Sequence, residues 1–269
     1  MLSGLEGLTG LDLSVNKIEH IEPGAFENMK GLQALYLQDN NIKVVNSSMF
    51  KGLEALESLT LSGNPVDKIT NGLCNEMPVL QTLDIGGNDD GYAKHLIEPG
   101  AFSACSELQT LTLFVTGQSL ALGNASSFSG LRKLVSLTMT GGPSWTSIQK
   151  GTFVELVSLR SLSIKGSWLA NGIASGAFLG LGRLQLLDLS DNYIQYTTQG
   201  TFAGLNSLVE ANLAGNLFRQ VLPCDEAARN KWSTCLDGMN PNLQLLKLDY
   251  NYITYVSPRA LVQFINPKM

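Results

Sequence analysis

The chain has 269 residues, 44% hydrophobic and 15% charged, with a formal net charge of −5. That supplies ample apolar material for a long shared core, yet no run of 18 or more apolar residues exists to cross a bilayer. Lysine and arginine form no cluster, which argues against nucleic acid as the main partner, because a phosphate backbone needs a concentrated basic surface, and argues likewise against anionic membranes.

Leu2 and Leu5 stand in the phase of everything that follows, matching Phe26 and Met29, and the expectation is of a chain that begins inside a repeating unit without a signal peptide. From Leu8 onward the pattern LxxLxLxxN, or a damaged copy of it, returns with its first leucine at Leu8, Leu32, Leu56, Leu80, Leu108, Leu134, Leu159, Leu184, Leu208 and Leu243. A unit of roughly 24 residues is therefore stacked about ten times along 1–269. The second copy is the cleanest: Leu32, Leu35, Leu37, Asn40 and Ile42. Two leucines flanking one variable residue, as in Leu35-Tyr36-Leu37, predict a short strand with its leucines inward and the middle residue outward. The asparagine supplies a side-chain amide for backbone groups left bare where the chain turns.

Behind each strand an aromatic-x-x-aliphatic spacing recurs, from Phe26 and Met29 to Phe202 and Leu205, and predicts an aromatic stack filling the interior. Proline and small residues precede it at Pro23, Pro99 and Pro258, which suits a turn or a single helical turn on the outer wall. The sequons at Asn46 and Asn124 each lie four residues before an aromatic slot, so both occupy equivalent outer-wall places where glycans would leave the sheet face open. Cys74 and Cys105 stand in aromatic and aliphatic slots and read as buried small hydrophobes.

The middle copies are irregular. The spacing of first leucines grows after Leu80 and again after Leu108, Thr116, Gly142 and Ser167 replace the asparagine, and an insertion at 88–96 carries Tyr92. Phe114, Trp145 and Trp168 stand close by in sequence, and insertions in repeat arrays often carry binding, so a rim from Tyr92 to Trp168 is a candidate protein-contact patch. The competing reading tucks these aromatics under their own loops. A second candidate comprises Tyr36, Tyr193, Tyr250 and Tyr252, with Asp188, Asp191 and Glu210 making the later end negative and suited to a basic segment. The long interruption at 219–240 holds Cys224 and Cys235, for which a local disulfide is one reading. With only His20 and His95 in the chain, a metal site lacks ligands. Leu261 and Phe264 repeat the outer-wall slots, and the absence of a terminal cap is expected of a slice of a longer protein.

These residues resemble the leucine-rich repeat family, and the outer segments around Phe26 and Phe102 are similar to the extracellular repeats of Toll-like receptors and Slit-like ectodomains. The block Gly100 to Cys105 also resembles the coils of bacterial and protist surface repeat proteins. The resemblance implies an α/β solenoid: a right-handed arc with a parallel concave sheet and short helices, turns or loops on the convex side. It further implies a non-catalytic module without cofactors that binds a protein or glycan ligand, in a receptor or adhesion ectodomain at the cell surface. The alternative is a cytoplasmic repeat scaffold or inhibitor of another protein. Catalysis is disfavoured, because two histidines in different coils and the absence of GxSxG, Walker or HExxH motifs leave no convergent group.

Overall fold

The computed structural model describes residues 5–87, 96–115, 125–141, 147–227 and 232–264. Trp145, Asn124, Tyr92 and the turn positions Thr116 and Gly142 lie outside them. The chain divides into two compact units, Met1–Leu120 with Ser126–Met139, and Ala121–Ala125 with Thr140–Met269.

In unit 1 the main strands are β1 (Gly10–Asp12), β2 (Ala34–Tyr36), β4 (Ser58–Thr60), β6 (Thr82–Ile85), β8 (Thr110–Val115) and, as far as Met139, β9 (Ser136–Gly141). They follow one another in that order as a sheet. The pairing is parallel, and Leu11, Leu35, Leu59, Leu83 and Leu111 are successive register partners. The repeat explains this: when each coil returns to the same point in the pattern, identical positions stack, and inward leucines of one strand meet leucines or other apolar residues of the next, as Ile85 meets Leu113. On the return side β3 (Val44–Val45), β5 (Lys68–Ile69) and β7 (Leu96–Ile97) form a second, narrower parallel sheet. The 3-10 helices Ser47–Phe50, Leu73–Glu76 and Ala125–Phe128 fill the outer wall.

Unit 2 repeats the scheme with β10 (Ser161–Lys165), β11 (Leu186–Asp188), β12 (Glu210–Asn212) and β15 (Leu245–Lys247). Its return-side sheet joins β14 (Ser233–Thr234), β13 (Gln220–Val221) and β16 (Tyr255–Val256). The interruption at 219–240 is thus absorbed as wall. It contains the short helix Cys224–Ala227, and Leu236 and Met239 are buried in the slots that Phe202 and Leu205 fill one coil earlier. Behind the main sheet Phe153, Phe178 and Phe202 stack in parallel planes with centroids 6.2 Å apart.

Two devices lock neighbouring coils. The first is the turn asparagine, which bonds across coils as well as within its own turn. Asn216 accepts the Ile194 N–H at 2.9 Å and the Asn192 N–H at 3.3 Å, and donates to the carbonyls of Leu189, Leu213 and Ala214. Asn40 and Asn64 do the same in unit 1. The second is close backbone contact on the outer wall: at Gly180, with φ of 96°, a Cβ would lie 2.8 Å from the Cα and carbonyl oxygen of Val154, so only glycine fits.

Both pairs of cysteines are bonded, Cys74 to Cys105 and Cys224 to Cys235, with Cα separations of 5.1 and 5.0 Å. The first pair corrects the expectation that Cys74 and Cys105 are simple buried hydrophobes. They are buried, but their slots belong to consecutive coils, and stacking brings the two sulfurs together.

Candidate recognition surface

The outward residues of the parallel strands line up because the register pairs like positions. In unit 2 Ser163, Asp188, Asn212 and Lys247 form one row, and Ser161, Leu186, Glu210 and Leu245 form the row beside it. Charges interlace across the rows: Lys165 lies 2.8 Å from Asp188, and Lys247 lies 2.6 Å from Glu210. Burial works against ionisation of Asp188, but the Lys165 ammonium and the hydroxyl and N–H of Ser190 outweigh it and hold the carboxyl below the usual aspartate range. Glu210 raises the Lys247 ammonium above its ordinary value, with Asp188 and Asp249 adding to the effect. Leu186 and Leu245 are exposed between these charges. The surface thus combines paired charges with uncovered leucines, which suits contact with another macromolecule better than chemistry on a small substrate.

Along the turn edge of unit 2 the residue following each turn position is Trp168, Tyr193, Leu217 and Tyr252. In unit 1 the same place holds Lys17, Asn41 and Pro65. Trp168 and Tyr193 meet with ring centroids 5.5 Å apart and planes tilted by 54°, while half of each side chain stays open to solvent. Tyr193 has φ of 56°, in the left-handed region, which costs a non-glycine residue about 1–2 kcal/mol. Asp191, at φ of 58°, lies just before the turn, where Gly63, Gly166 and Gly215 stand in other coils.

The remaining sequence candidates are more scattered. Tyr36 is exposed on β2, with Asp12 and Thr60 as register neighbours. Phe114 is half-buried on β8 and belongs to unit 1, whereas Trp168 belongs to unit 2. Tyr250 projects into solvent with 87% exposure. Asn46 is partly exposed at the start of an outer-wall 3-10 helix, and its side-chain oxygen accepts the Ser48 hydroxyl at 2.6 Å. The structure thus joins Trp168 from one sequence candidate to Tyr193 from the other. Exposed Leu186 and Leu245 and the pairing of Lys165 with Asp188 and of Lys247 with Glu210 were not among the sequence candidates, because they depend on which strands lie side by side. A shallow cleft of about 260 Å³ beside the Cys224–Cys235 bridge is lined by Leu222, Asp225, Leu236, Arg259 and Gln263. Among the described residues no group of three His, Cys, Asp or Glu side chains is placed to hold a metal, and no helix is long and apolar enough to cross a membrane.

The leucine-rich repeat sequence profile matches residues 1–42, 30–89 and 158–218, which together make up more than half of the chain. The chain belongs to the leucine-rich repeat family. No curated protein sequence matches it. Among solved structures, this leucine-rich repeat chain is similar to TLR13 in its complex with ssRNA13, with 23% identity, a TM-score of 0.75, and 90% of this chain covered against 36% of that one. It is similar to a chain of the octameric complex of latrophilin 3, Unc5D and FLRT2, whose repeats belong to FLRT2, at 24% identity and a TM-score of 0.63, covering 78% and 62%. It is also similar to a chain of the Drosophila Toll–Spatzle complex, at 16% identity and 0.60, covering 91% and 36%. The chain thus spans about a third to three fifths of the length of these chains, and the likeness is one of fold.

Proposed function

We propose that this leucine-rich repeat chain is a non-catalytic recognition module that holds a protein ligand on the outward sheet face of unit 2, in an extracellular or cell-surface setting. The observation that carries the reading is the register of β10, β11, β12 and β15, which sets interlaced ion pairs beside exposed Leu186 and Leu245 on one continuous face. Exposed apolar side chains amid polar ones are the composition of transient protein interfaces. Toll is seen with Spatzle, and FLRT2 is seen with latrophilin 3 and Unc5D, so related folds engage proteins. TLR13 is seen with an RNA. For this chain the balance of charges on the face favours a protein, because its two lysines are already neutralised by acids and leave no surplus for phosphate. All four cysteines are in disulfides, which supports an oxidising compartment and the receptor or adhesion reading. Glycans on Asn46 and Asn124 belong to the same proposal.

The test is site-specific photo-crosslinking on the surface of producing cells. A benzophenone amino acid replacing Ser163 or Asn212 should join the chain to the same protein, and one replacing exposed Val154 on the outer wall should join it to none. Equal capture from Val154, or none from Ser163 and Asn212, overturns the proposal.

A further inference from the structure

We propose that Trp168 and Tyr193, with the carboxylate of Asp191, form a ledge that seats an arginine or lysine side chain of the protein ligand; this rests on the reading of the unit 2 face given above. Three independent observations converge here. The rings are tilted by 54° at 5.5 Å, so they present a half-open cradle and not a covered stack. The backbone of Tyr193 is held in the left-handed region, unlike the equivalent Trp168, Leu217 and Tyr252, and the bond from the Asn192 N–H to Asn216 Oδ1 braces that turn. Strain of this kind persists where the surroundings impose it, and here it aims one ring at the other. The local charge supplies the sign of the ligand. Asp188, Asp191, Glu210 and Asp249 outnumber Lys165 and Lys247, and both lysines are committed to ion pairs. Asp191 is exposed and has no ion pair among the described residues. Its carboxylate lies over Gly215 of the following coil, so it borders the ledge beyond Tyr193, on the side away from Trp168, and meets the far end of a cation laid across the rings. An aromatic face attracts a cation through its quadrupole, best on tryptophan, and a carboxylate at that end completes the recognition. The chain already uses this chemistry internally, where the Arg219 guanidinium lies 5.3 Å from the Trp232 ring centroid.

The experiment titrates the whole chain with tetra-arginine amide and, in parallel, with tetra-citrulline amide, which has nearly the same shape without the charge, following the heat of binding by isothermal titration calorimetry. Tetra-arginine should give a saturable change that weakens with added salt, and tetra-citrulline should give none. Trp168→Leu should remove the signal, and Asp191→Asn should weaken binding about 3- to 10-fold, the range of one exposed charge-assisted contact. Tyr193→Gly should weaken binding about 5- to 30-fold while leaving the unfolding midpoint nearly unchanged, because backbone relief offsets the added chain entropy. A purely structural tyrosine would instead lower the midpoint and leave the titration intact. Equal response to both peptides, or undiminished binding by folded Trp168→Leu and Asp191→Asn, overturns the ledge. Crosslinking from Ser163 and Asn212 judges the sheet-face reading separately.

Discussion

Replacing Asn216 by leucine removes a side-chain amide from a fully buried site while keeping the same branched shape. Five backbone groups bond to that amide, but they do not suffer equally. The Leu213 carbonyl still accepts from Asn251 at 2.9 Å, and the Ala214 carbonyl still accepts the Asp191 N–H at 3.0 Å. The Ile194 N–H, the Asn192 N–H and the Leu189 carbonyl lose the side-chain partner they have. Each orphaned buried group costs about 1–3 kcal/mol, so the three together should cost the variant roughly 3–9 kcal/mol, a large share of the stability of a domain of this size. The exposed Asn16 occupies the same place in the first described coil and donates only to the Leu13 and Ser14 carbonyls. Asn16→Leu should therefore cost under about 1 kcal/mol. Urea unfolding read by tryptophan fluorescence isolates the first effect, since all three tryptophans fall within the range of unit 2; far-UV circular dichroism reads the control. A loss below about 1 kcal/mol for Asn216→Leu, or equal losses at both sites, would show that the asparagines are not the bonds between coils.

Cys105→Ala opens a bridge spanning 31 residues and should destabilise unit 1 by about 4 kcal/mol on the chain-entropy account, measured by thermal unfolding with and without reductant. Gly180→Ala should cost roughly 2–4 kcal/mol, from left-handed backbone and crowding against Val154. Gly182→Ala, with nothing within 4 Å of its Cβ, should be nearly neutral in the same urea titration. Asp188 has a folded-state pKa depressed below its ordinary value, so its contribution is present above about pH 4 and is lost as pH falls through the folded pKa. The stability difference between the native chain and Asp188→Asn should hold steady above about pH 5 and shrink in more acidic solution.

Much of the fold was legible because a stacked array repeats its physics. The first leucines mark the register, LxL marks which residue faces out, and the phenylalanine slots mark the interior behind the sheet. What escaped sequence reading depends on distances between coils. Cys74 and Cys105 each satisfy a local rule for a buried apolar slot, and nothing within either coil says that the slots touch. Tyr193 reads as one more edge residue, since neither its left-handed backbone nor the bond of the neighbouring Asn192 N–H to Asn216 of the next coil has a mark in the repeat pattern. The interruption at 219–240 hid Leu236 and Met239 for a similar reason: they fill regular slots, but the extra residues shift them out of phase with the leucine count.

The recognition face exists only if adjacent strands lie side by side in the parallel register that aligns outward positions. A paired cysteine variant reads that register. Thr60 and Asp84 are direct partners across β4 and β6, about 4.8 Å apart and inside the window for a disulfide, and all native cysteines are already bonded. Thr60→Cys with Asp84→Cys should oxidise spontaneously to an intramolecular bridge, seen as a loss of two free thiols by mass spectrometry. Ser58→Cys with Asp84→Cys, two residues out of register and about 8 Å apart, should keep both thiols. The reverse pattern, or bridging in both, would contradict the stacked register and with it the recognition face.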